Sequence, residues 1–175
     1  EAHQKPRVVP TVASRLAYLP EIQEDYVPIL STVVIDPTPG PKEGVESRLE
    51  HLRRMLHLAR EIKSLYRGKT VACVTHAATV ALVAALTDSP TLEAAGKLAP
   101  CGVCALVSDD DGASWTVLER GDDNRAYVTS SAPTTFPWGF ADSSCPLADM
   151  EAAWREAKRL GPTDPGEPRP ADTTS

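Results

Sequence analysis

The chain has 175 residues, 42% hydrophobic and 24% charged, with 18 basic against 24 acidic side chains for a net charge of −6. That is the size of one domain with enough apolar side chains for a core, and the acidic excess argues against direct nucleic-acid binding. No apolar run approaches the ~18 residues that a membrane span needs, and the opening EAHQKPRVVP lacks the apolar stretch of a secretory signal. The expected compartment is therefore the cytoplasm, or the nucleus, where the four cysteines Cys73, Cys101, Cys104 and Cys145 stay reduced.

Val8 and Val9 before Pro10 predict a short strand ended by proline. Pro20, Pro28, Pro37 and Pro39 then break residues 11–40 into loop and short helical pieces. The clearest periodicity follows. Val45, Leu49, Leu52 and Leu56 recur at helical spacing, as do Met55, Leu58, Ile62 and Leu65, which predicts an amphipathic helix over 43–66 with a C-cap at Gly68. Its charged residues, with His51 and His57, read as a solvated face.

The run Val71–Val74 is apolar and partly β-branched, so it predicts a central strand buried on both faces, with Cys73 inside. Ala77 to Leu86 predicts a buried helix. His76 then stands where a parallel strand hands over to a helix, the edge at which open α/β sheets bind ligands. The first amides of that helix, from Ala77 onward, would face an anion beside the imidazole. A packed or capping histidine is the plainer alternative.

Residues 91–98 predict a short helix stopped by Pro100. Gly102–Val107 and Trp115–Leu118 predict a hairpin around Asp109-Asp110-Asp111-Gly112, a solvated turn with too few ligands for a calcium loop. Cys101-Gly-Val-Cys104 has no second ligand pair at zinc spacing, and its two sulfurs would lie on opposite sides of an extended strand, so no metal is expected there. Residues 121–145 read as loop with Phe136, Trp138 and Phe140 as anchors. Residues 146–160 predict a final helix with Pro146 near its start. The four prolines of 161–175 predict a disordered tail.

The run VACVTHAATVALVAAL resembles the second-histidine strand-turn-helix of the histidine phosphatase superfamily, the phosphoglycerate mutase-like fold. Val45-Glu46-Ser47 opening a long helix and LAPCGVCALV after the helices are similar to that family's segments. The likeness covers roughly residues 7–140. It is nearest to the branch of ecdysteroid-phosphate phosphatases and ubiquitin-associated, SH3-containing protein phosphatases, where a Phe-x-Trp segment such as Phe136-Pro137-Trp138 closes the domain.

The resemblance implies an α/β fold, a three-layer open and mostly parallel sheet flanked by helices, lacking its N-terminal strand and helix. It divides the chain into a partial domain over 7–145, the helix 146–160 and the tail 161–175. It implies phosphomonoester hydrolysis through a phosphohistidine, without metal or cofactor, on a phosphorylated small molecule or phosphoprotein. His76 and the Ala77 amide would hold the phosphoryl oxygens. No Arg-His pair occurs in the sequence, so the family's nucleophile is not carried over. The acid position falls near Ser14, which is not a carboxylate. Two readings follow: the C-terminal portion of a phosphatase, inactive as this chain alone, or a degenerate, non-catalytic scaffold or binding module. A chain without its first strand and helix would expose a sheet face and edge, which favours an oligomer or larger assembly.

Overall fold

A computed structural model describes residues 46–76, 80–125 and 146–163. The expectations at 7–10, 11–40, Ala77, Phe136 to Phe140, Cys145 and most of the tail lie outside the described residues.

Helix α1 spans Arg48–Leu65 and begins in a capping box. The Ser47 hydroxyl accepts from the Glu50 amide at 3.2 Å, and the Glu50 carboxylate accepts from the Ser47 amide at 2.7 Å. Two otherwise orphaned amides are thereby satisfied. The helix ends at Tyr66, whose amide donates to the Ile62 carbonyl; Gly68 follows rather than forming the cap itself. Leu52, Met55, Ala59 and Ile62 form the buried stripe that helical spacing predicts.

Helices α2 (Val80–Leu86), α3 (Leu92–Ala95) and α4 (Leu147–Leu160) complete the core. α1 packs against both α2 and α4. α2 is apolar all round and almost wholly buried, as a helix enclosed by neighbours must be. α3 starts at Thr91, whose hydroxyl accepts from the Ala94 amide, and stops at Gly96, before Pro100 can act. α4 contributes Met150, Trp154 and Ala157. The Trp154 indole is fully buried, and its Nε1 donates to the Ser89 carbonyl at 3.3 Å. The Glu151 carboxylate accepts from the Glu93 amide and ties α3 to α4.

Strands β1 (Cys104–Val107) and β2 (Thr116–Arg120) pair antiparallel, as predicted for the hairpin. Ala105 lies opposite Glu119 and Leu106 opposite Val117, so Leu118 is an extra residue in β2. It is a bulge, and its side chain is 68% exposed. At the base of the hairpin two chain segments nearly touch. A Cβ on Gly102 would stand 2.1 Å from the Gly121 carbonyl oxygen.

The structure departs from these expectations at five points. Residues 71–76 form no strand and are exposed. A central strand exists only through ladder partners on both edges, and the described sheet consists of β1 and β2 alone. The described residues therefore show helices and a two-stranded antiparallel sheet, not a three-layer, mostly parallel one. Cys73, expected inside that strand, is exposed for the same reason. Cys101 sits in a turn with φ of 57°, outside β1, so strand alternation does not govern it. His57, read as a surface residue, is only 9% exposed. It lies about 140° round the helix from Leu52, at ~100° per residue, and a helix with two packed neighbours buries more than one stripe.

Candidate functional site

Two groups of residues bear on the chemistry, one singled out from the sequence and one assembled by the fold. The first is the extended segment 69–76, which leaves α1 through the Lys69 amide to Tyr66 carbonyl bond and leads toward α2. His76 stands at its end, exposed. Val74, two residues before it, is fully exposed. The Ala77 and Ala78 amides lie outside the described residues, so their expected place beside the imidazole does too.

The second group opens α1. Glu46, the residue before the N-cap, receives Arg54 in a two-pronged pair: Nε to Oε1 at 2.5 Å and Nη2 to Oε2 at 2.7 Å. His51 joins it, with Nδ1 at 3.1 Å from Arg54 Nη2 and 3.5 Å from Glu46 Oε2. A guanidinium can only donate. In the neutral ring Nδ1 therefore accepts, and the proton sits on Nε2, which is buried without a hydrogen-bond partner among the described residues. Burial pushes the Glu46 carboxyl up, but the hydrogen bonds and charge of Arg54, with His51 close by, outweigh it and hold it at about 2. The triad is a fixed anion–cation pair with an imidazole alongside, and it locks the entry into α1.

Sequence reasoning saw Glu46-Ser47 as the start of a helix but missed this triad. The signal was present: His51 and Arg54 are three apart on a helix, so they share a face, and Glu46 directly precedes the cap. The described contacts do not bring His76 to this triad. Nor does His76 line the cleft found between α1 and the β1–β2 turn. Among the described residues no three His, Cys, Asp or Glu side chains gather as a metal site would require. No described helix is long and apolar enough to cross a membrane.

The family model described as histidine phosphatase superfamily (branch 1) matches residues 18–123. That span takes in the opening of α1, the His76 segment, α2, α3 and the hairpin. The chain matches no curated protein and no solved structure.

Proposed function

We propose a function from one premise: this chain belongs to the histidine phosphatase superfamily. Our reading is that it supplies the phosphoryl-binding part of a phosphomonoester hydrolase site, with His76 as the residue that meets the phosphoryl oxygens. The observation that carries it is the family match across residues 18–123, which contains VACVTH and the helix behind it. An exposed imidazole ahead of α2 is accessible to an anion in solution, and in its protonated form it would stabilise phosphoryl charge. The Phe136-Pro137-Trp138 segment supports the branch of ecdysteroid-phosphate and ubiquitin-associated, SH3-containing phosphatases, and with it a phosphorylated small molecule or a phosphoprotein as substrate class.

The covalent step is not assigned to this chain. A phosphohistidine forms when a histidine nitrogen attacks phosphorus and the ester oxygen leaves with a proton. The sequence holds no Arg-His pair to make that attack in the family's manner. Binding alone does not lower the chemical barrier. A second reading, a non-catalytic binding module, is favoured by the apolar side chains exposed at Val74, Val103 and Leu118.

Vanadate titration followed by ⁵¹V NMR, alongside an aryl phosphate assay, tests the proposal. The expected result is weak vanadate binding without measurable turnover, with His76→Ala removing the binding. In a longer protein that includes an Arg-His-Gly segment, turnover is expected, and His76→Ala should lower it on the order of 10²–10³-fold, as loss of an oxyanion-hole donor does. Robust turnover by the 175-residue chain, unchanged in His76→Ala, would overturn both the site and the reading.

A further inference from the structure

Away from His76, the described residues form a cleft of about 410 Å³ between the end of α1 and the turn joining β1 to β2. Arg60, Lys63 and Ser64 share one helical face, and Arg67 continues it just past the helix. The turn from Asp110 to Ala113 forms the opposite wall.

That wall is fixed by its own bonds. The Asp110 carboxylate accepts from the Ser108 hydroxyl at 2.8 Å and from the Ser114 amide and hydroxyl at 2.8 and 2.6 Å. The Trp115 indole donates to the Gly112 carbonyl at 3.2 Å. Gly112 has φ of 93°, and a Cβ there would lie 3.4 Å from the Lys63 carbonyl oxygen, so the turn rests against the helix end without a side chain between them.

Three cations face two carboxylates in this cleft, in a chain whose net charge is −6. Both carboxylates are engaged. Asp110 accepts from three donors of its own turn, and Asp111 pairs with Arg67 at 3.1 Å. Arg60 is 3.6 Å from Glu61, which is not part of the lining. Lys63 has no ion pair among the described residues. The carbonyl end of α1 attracts cations rather than anions, so an anion would be held here by side chains, not by the backbone.

We propose that this cleft is a second anion site, one that takes the phosphate group of a phosphomonoester. Lys63 and Arg60 supply the charge, and the Ser64 hydroxyl supplies a further donor. Arg67 is recruited when it exchanges Asp111 for the ligand. The site is independent of His76 and stands whether or not His76 meets phosphate. It would hold a second phosphorylated position of a substrate or partner.

Amide NMR of the full chain, titrated at low salt with inorganic phosphate and with a phosphoserine peptide, tests this. Shifts are expected at residues 60–67 and 110–113, equally in wild type and in His76→Ala. The double variant Arg60→Gln/Lys63→Gln should weaken binding on the order of tenfold, at up to about fivefold per exposed charge pair. Asp111→Asn should tighten it by freeing Arg67, and rising salt should weaken it. Tighter binding of the peptide than of free phosphate would identify a phosphoprotein ligand; equal binding would identify the phosphate group alone. No shift at the cleft, an equal response to chloride, or shifts lost in His76→Ala would each overturn the proposal.

Discussion

Glu46 shows how one carboxylate can set the pH response of a helix start. Its folded value near 2 lies below the ordinary glutamate range, so it contributes stability that is complete above about pH 4.5 and is lost as pH falls toward 2. The pair is half-buried and bidentate, which makes it stronger than most surface pairs. Glu46→Gln should destabilise the protein by about 1–2 kcal/mol at pH 7, and urea melts should show the gap to wild type closing between pH 4.5 and 2. A gap that stays constant with pH would mean that the loss comes from packing and not from the charge. The cysteines differ by the same logic of environment. Burial pushes the Cys104 thiol up, the Glu119 charge adds to this, and Arg120 opposes it. Cys73 and Cys101 are exposed. Because the thiolate is the reactive form, timed alkylation read by mass spectrometry should label Cys73 and Cys101 well before Cys104.

At the scale of elements, the ends of the helices and the base of the hairpin carry the definition. Ser47→Ala removes one half of the capping box and should cost about 1 kcal/mol, measurable as a lower urea midpoint with unchanged slope. Gly102 is more demanding. A Cβ there would meet two backbone oxygens, Gly121 at 2.1 Å and Ala99 at 2.8 Å, neither of which can swing aside. The Ala99 amide already donates to the Gly121 carbonyl, which holds the crossing closed. Gly102→Ala should therefore separate the hairpin from the chain around Ala99, at a cost of about 1–3 kcal/mol. Amide exchange in β1 and β2 should accelerate in that variant while α1 stays protected. Equal loss of protection throughout would show that hairpin and helices unfold together.

For the whole molecule, α4 is the element that closes the core. Trp154 is fully buried in the core cluster, and its Nε1–H finds a partner in the Ser89 carbonyl. Lys158 reaches the same carbonyl at 3.4 Å and pairs with Asp88 at 3.1 Å. Trp154→Ala removes the largest side chain of the core and one hydrogen bond, and should cost about 3–5 kcal/mol. That is a large part of a domain's usual stability, so lost near-ultraviolet circular dichroism and a collapsed thermal midpoint are expected. Trp154→Phe, which keeps most of the volume, should retain the fold with a smaller loss.

The amino-acid sequence alone determined what depends on neighbours along the chain. The α1 stripe, the hairpin around Asp109 to Gly112 and the final helix from Pro146 are all local, since helical period and turn chemistry act over a few residues. What lay beyond the sequence was decided by contacts between distant segments. Val71–Val74 has the composition of a buried strand, yet composition cannot supply the ladder partners that make one, and the segment is exposed. His57 is buried because α1 has neighbours on more than one side. The cleft of Arg60, Lys63 and Arg67 exists only because a turn some fifty residues onward folds against the end of the same helix. Local propensity names the elements; burial and charge pairing belong to the surfaces that meet, and only the tertiary structure brings those surfaces together.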